Sequence, residues 1–193
     1  MADLIPCVVK MIRGNQYWPG FQARAKYLLN TSVLTILGAA YEVAGKQVPE
    51  ITREISAWED GRRFAIGVLP RGPYITMEKR GEEIHYLGKG LFNPDISMLL
   101  KNPDSAVMVF LGRIGSYKAF IENRFLVYGN LSRTMEVNRV SDIVNAYLLP
   151  GFMLKGVLKR PPKFNSYQNI NKLKVYVLLL PCVLRHLLRR ERG

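Results

Sequence analysis

A chain of 193 residues, 48% hydrophobic and 22% charged, has the composition of a globular protein and the length of one main domain with appended segments, which excludes a disordered or fibrous chain. The formal net charge of +13 is unevenly placed: residues 1–150 carry 18 basic and 14 acidic side chains, residues 151–193 carry 10 and one. Such a basic tail suits nucleic acid, anionic lipid or an acidic protein partner, and charge alone does not choose among them.

The only cysteines, Cys7 and Cys182, lie near opposite ends and make neither a disulfide framework nor a metal-ligand pair of useful spacing, so a reducing, cytoplasmic setting is expected. The short apolar patch LIPCVV has Asp3 before it and basic residues after it, the reverse of a secretory signal, so export is not expected. From Phe21 to Ala44 apolar residues recur at spacings of three and four, which predicts a long amphipathic helix with Gly45 as a stop signal. ITREISAWEDGRRFAIGVLP reads as two strands joined by a tight turn at Asp60-Gly61, and PYITMEKRGEEIHYLGKG as two more, turning at Arg80-Gly81-Glu82.

Asn93-Pro94-Asp95 introduces a further alternating strand with Ile96, Met98 and Leu100 on one face, so a sheet of about five strands is expected. Asn102-Pro103-Asp104 opens a short helix through Phe110, Tyr117 to Glu122 forms another, FLVYG fits a last strand, and Met135, Val140, Ile143, Val144, Tyr147 and Leu148 predict a helix closing before Pro150. KRPPKFNSYQNINKLK reads as a linker, and the apolar run after it is too short to cross a bilayer and contains Pro181. The expected divisions are an N-terminal helical segment over 1–50, a main domain over 51–155, and a basic linker and amphipathic tail over 156–193.

The stretch NPDISMLLKNPDSAVMVFLGRIGSYKAFIENRFLVYGNLSRTMEV, with its strand after Pro94-Asp95, its short helix closing on Gly112, its phrase Lys118-Ala119-Phe120 and its strand ending at Gly129 before a helix, resembles the sterol carrier protein type two superfamily, especially its bacterial lipid-carrier-like members. Asn130 stands where many members have aspartate. The resemblance spans about Ile51 to Pro150. It implies an α/β (α+β) sandwich: a largely antiparallel twisted sheet of about five strands, covered by helices, with an apolar tunnel between the layers. It also implies a non-enzymatic carrier of a lipid or other apolar molecule, without cofactor or metal.

Sheet residues Phe64, Ile66, Met77, Ile96, Met98, Leu100, Phe125 and Val127, covered by Val107, Phe110, Phe120, Ile143 and Tyr147, would then line the ligand space. The same residues would look alike in an ordinary filled core. Met77, Met98, Met108 and Met135 would let a wall adapt to different ligands. The alternative use of the fold is as an accessory or scaffold protein, for example in isoprenoid-quinone synthesis, binding a protein partner or a second copy as a homodimer.

Catalytic signals are weak. His85 and His186 stand far apart with no metal-binding spacing, and Glu82-Glu83 point to opposite sides of a strand. The glycines of LGKGLF and LGRIGS make no phosphate loop, and no serine has a nucleophile-elbow context. An enzyme is not expected.

After Pro181, Leu184, Leu187 and Leu188 interleave with Arg185, Arg189 and Arg190, so a short helix there would sink leucines into a bilayer surface while arginines meet anionic headgroups, placing the protein at the inner face of the membrane. The same pattern also suits a helix packed on its own domain or on a second subunit. Nucleic acid is a poor fit because the interleaved residues are aliphatic rather than stacking aromatics.

Overall fold

The computed structural model describes residues 19–158, 162 and 164–188. Helix α1 (Pro19–Gln47) and a short α2 (Pro49–Ile55) precede strands β1 (Arg63–Val68), β2 (Tyr74–Arg80), β3 (Glu83–Lys89) and β4 (Ile96–Leu100). Helices α3 (Pro103–Phe110) and α4 (Ser116–Ile121), strand β5 (Phe125–Tyr128), α5 (Leu131–Leu148), α6 (Gly151–Val157) and α7 (Ser166–Leu188) complete it.

The five strands form one sheet in the order β3-β2-β1-β4-β5. Every pair is antiparallel except β1 with β4, which run parallel with Phe64 opposite Ile96 and Val68 opposite Leu100. Because side chains alternate across a strand, this register puts Phe64, Ile66, Val68, Ile75, Met77, Ile84, Tyr86, Ile96, Met98 and Leu100 on one face, and all of them belong to a single buried cluster. Helix α1 crosses β1, β2 and β3 on that face, α5 lies by β4, and α7 rests against both helices from outside. Leu34, Ala40, Tyr41, Val43 and Ala44 of α1 and Val175 of α7 belong to the same core as the sheet. Among the described residues α1 alone is long and apolar enough to cross a membrane, but 61% of its apolar window is buried, as in a core helix.

The connection from β3 to β4 passes beneath the opposite face. There Thr76 Oγ1 donates to Gly90 O at 2.6 Å and accepts from Phe92 N at 3.2 Å, and Arg63 N donates to Asp95 Oδ2 at 2.8 Å. Gly129 ends β5 at φ +107°, where a Cβ would stand 2.3 Å from Asp95 O, so only glycine fits.

The expected strand at ITREI is a correction: residues 49–55 are helical. Pro49 opens the helix without losing a needed hydrogen bond, and Ile51 and Ile55, four apart, are both buried. Gly61 still turns, at φ +80°, but it joins a helix to β1 rather than two strands. The expected linker is a second correction. α7 begins at Ser166 and runs through Pro181, its inward residues Asn171, Val175, Leu179 and Cys182 spaced by four, four and three.

Candidate functional site

Helices α2 and α5 and the chain entering α7 enclose a cleft of about 450 Å³ lined by Glu50, Asp142, Ile143, Ala146, Tyr147, Leu158, Pro162, Phe164 and Gln168. Ile143, Ala146 and Tyr147 lie three and four residues apart and therefore share one side of α5. After α6 the chain becomes extended at Leu158, and Phe164 returns to place its ring 5.0 Å from that of Tyr147. Lys172 fixes this return: its Nζ donates to Ala146 O in the last turn of α5 at 2.9 Å and to Leu149 O just after the helix at 2.7 Å, and sits 5.0 Å from the Phe164 ring. Tyr147 is part of the main core, with Ile143 and Phe164 packed against it, so the cleft abuts the helix-covered side of the sheet.

One end of the cleft is polar. Glu50 Oε1 accepts from Gln168 Nε2 at 3.0 Å and from the Tyr147 hydroxyl at 3.4 Å, while its Oε2 is buried with no hydrogen-bond partner. Burial first, and then the Glu50 carboxylate, push the Tyr147 phenol up to about 12, so it remains a donor at neutral pH. Burial also raises the pKa of Asp142, which accepts from the Ser116 hydroxyl at 3.4 Å. Leaving a buried oxygen unbonded costs about 1–3 kcal/mol, which a hydroxyl or amine on an entering molecule would relieve. The cleft is thus suited to an apolar body with a hydrogen-bond donor at one end.

A larger, polar cleft of about 800 Å³ lies at the β3 edge of the molecule, lined by Glu42, Arg80, His85, Tyr86, Leu87, Arg185 and His186. Glu42, on the buried side of α1, accepts from the Arg185 guanidinium with one oxygen and lies 2.9 Å from His186 Nε2 with the other. Burial alone would raise its pKa, but the hydrogen bonds from His186 and Arg185 outweigh that and bring it down to about 2. The His186 ring meets Tyr86 edge to face at 4.7 Å, and Tyr86 lies where a Cβ on residue 38 would come within 2.6 Å, which is why α1 carries Gly38.

With strand order and both clefts in view, the molecule can be set beside known structures. It aligns with sterol carrier protein domains over 62–66% of its length, at TM-scores below 0.5. The sterol carrier protein domain 2 of Helicoverpa armigera aligns at 15% identity over 62% of this chain and 92% of its own, with a TM-score of 0.43. A Thermus thermophilus protein described as possibly a sterol carrier protein aligns at 11% over 66% and 90%, with a TM-score of 0.44. The ubiquinone synthesis protein UbiJ-SCP2 aligns at 11% over 63% and 93%, with a TM-score of 0.37. No family model and no curated protein matches the sequence.

The structure divides the candidate ligand residues. Ile143 and Tyr147 line the apolar cleft. Phe64, Ile66, Met77, Ile96, Met98, Leu100 and Val107 are buried and line none of the clefts described; Phe64 packs edge-on against Tyr41 at 5.4 Å and Trp58 at 5.9 Å. Phe110 and Phe125 pack at the rim of this core, and Val127 is half-buried beside Met98. Phe120 is a correction: it is 47% exposed, because the inward residue of α4 is Ala119. Met135 likewise stands outside, 44% exposed, so it is no part of an adaptable wall.

Of the tail residues, Leu184 is exposed, but Arg185 is held by Glu42. The Leu187 and Leu188 side chains, and Arg189 and Arg190 altogether, lie outside the described residues.

Sequence reasoning missed Leu158, Phe164 and Gln168 because the returning chain reads as linker, and Glu50 because it stands beside the ITREI stretch that reads as a strand. The four-residue spacing of Asn171 and Val175 was the signal that a helix, with an inner face, follows.

Proposed function

We propose that this protein binds a lipid or similar apolar molecule without altering it chemically, seating it in the α5 cleft, and that α7 docks it on an anionic membrane. The observation that carries the reading is the cleft itself: apolar walls abutting the core, closed at one end by a carboxylate with an unbonded oxygen. Burial of about ten methylenes contributes on the order of 8 kcal/mol before ordering costs, enough for micromolar binding.

A tryptophan at position 143 would fill the cleft from a partly exposed position. Ile143→Trp is therefore expected to weaken uptake of a fluorescent fatty alcohol at least tenfold while leaving the circular dichroism spectrum unchanged. Equal affinity in both proteins would contradict the site, and no uptake by the native chain would favour the scaffold role.

Docking is supported by the outer face of α7. Ile170, Leu173, Val177, Leu180 and Leu184 follow one another by three or four residues and are 54–70% exposed. They form an aliphatic stripe about 21 Å long at 1.5 Å per residue, within the part of the chain that carries the basic surplus. Truncation after Pro162 is a poor test, because Phe164 and Val175 belong to the fold. Replacing both Leu173 and Leu180 by Glu is expected instead to lower sedimentation with phosphatidylglycerol vesicles about tenfold and leave alcohol uptake intact. Undiminished vesicle binding would reject the docking role.

A further inference from the structure

The contact that holds α7 to α1 contains three different metal-ligand types. Cys182 and His186 are four residues apart on α7 and so project from the same side of it, toward Glu42 on α1. The Cys182 Sγ, a His186 ring nitrogen and a Glu42 carboxylate oxygen all lie within 4.8 Å of one another. We propose that these three side chains form a binding site for a divalent transition metal of the zinc class, which takes the place of the Arg185 guanidinium as the cation on Glu42 and fastens α7 to α1.

The donor set points to the metal. A thiolate and an imidazole together select a borderline-soft ion over magnesium or calcium, and one carboxylate completes three protein ligands with a fourth position open to water. Bond lengths of about 2.0–2.3 Å place tetrahedral donors about 3.3–3.7 Å apart. Glu42 Oε2 and His186 Nε2, now at 2.9 Å, need separate by only a few tenths of an ångström.

Access and charge also fit. Glu42 and His186 line the 800 Å³ cleft, and Glu42 and Cys182 line an adjoining one of about 410 Å³, so the donors are reached from two sides. The Arg185 side chain is 61% exposed and can turn to solvent, whereas those of Glu42 and His186 are 9% and 4% exposed and stay in place. The dication then balances one carboxylate and one thiolate, and the proton lost from Cys182 goes to solvent. The metal binds only the deprotonated thiol, so its affinity should rise with pH.

The test is calorimetric titration of the untagged full chain with zinc chloride, with cobalt(II) chloride as a spectroscopic probe. One ion per chain is expected, with a thiolate-to-cobalt charge-transfer band and a zinc-dependent rise of several degrees in Tm that magnesium does not reproduce. Cys182→Ser should abolish the band and weaken zinc at least tenfold, Cys7→Ser should do neither, and Arg185→Gln, which removes the competing cation, should tighten zinc severalfold. Absence of binding, binding that survives Cys182→Ser in a folded protein, or weaker binding in Arg185→Gln would each overturn the assignment.

Discussion

Phe64→Ala is expected to destabilise the protein by roughly 3–5 kcal/mol, the range for emptying a fully buried aromatic site. Phe64 has no exposed surface, lies in the register between Met77 on β2 and Ile96 on β4, and meets Tyr41 and Trp58 edge to face. It therefore joins the centre of the sheet to α1 and to the turn after α2. None of these neighbours closes the gap cheaply: Tyr41 is tied through its hydroxyl to Ser141 on α5, and Trp58 offers its carbonyl to Lys79 Nζ at 2.9 Å. Urea denaturation monitored by circular dichroism gives the number. A loss below about 1 kcal/mol would mean that the site collapses, or that Phe64 is not at the junction described.

Glu42→Gln is expected to cost roughly 2 kcal/mol at neutral pH, because it takes the charge from beneath Arg185 and His186. The full penalty for breaking a buried ion pair does not apply, since the Arg185 side chain is largely in solvent. The pH dependence distinguishes this loss from a packing defect. The folded pKa of Glu42, about 2, lies below its ordinary value of 4.5, so the charged carboxylate stabilises the fold fully above pH 4.5 and progressively less as pH falls toward 2. The difference between native chain and variant should therefore shrink across that interval in acid titrations of stability. A constant difference down to pH 2 would show that the hydrogen bonds, not the charge, hold α7.

Much of the sheet was legible because its strands alternate. Tyr74–Arg80 and Glu83–Lys89 carry period-two patterns about a glycine turn, and Asn102-Pro103-Asp104 names its helix start through the Asn102 side chain, which accepts from Ser105 N. ITREI misled because isoleucine and threonine favour strands, whereas the Ile51–Ile55 spacing and the leading proline describe a helix.

The tail misled for a different reason. α7 is apolar on both sides, with Val175 and Leu179 inward and Leu173, Val177 and Leu180 outward, so no single stripe distinguishes it from a continuous apolar run. Of the apolar cleft, Ile143 and Tyr147 were visible as one face of a helix. Glu50 and Gln168, 118 positions apart, are brought together only by the fold, as are Glu42 and His186 at 144.

The most direct measurement of the claim that an apolar guest occupies the α5 cleft is a methyl NMR titration of the full chain with a long-chain fatty alcohol. Saturable shifts are expected for Ile143, Ala146 and Leu158, with Ile75 on β2 and Ile84 on β3 unmoved. Shifts confined to the outer leucines of α7, or none at all, would contradict it.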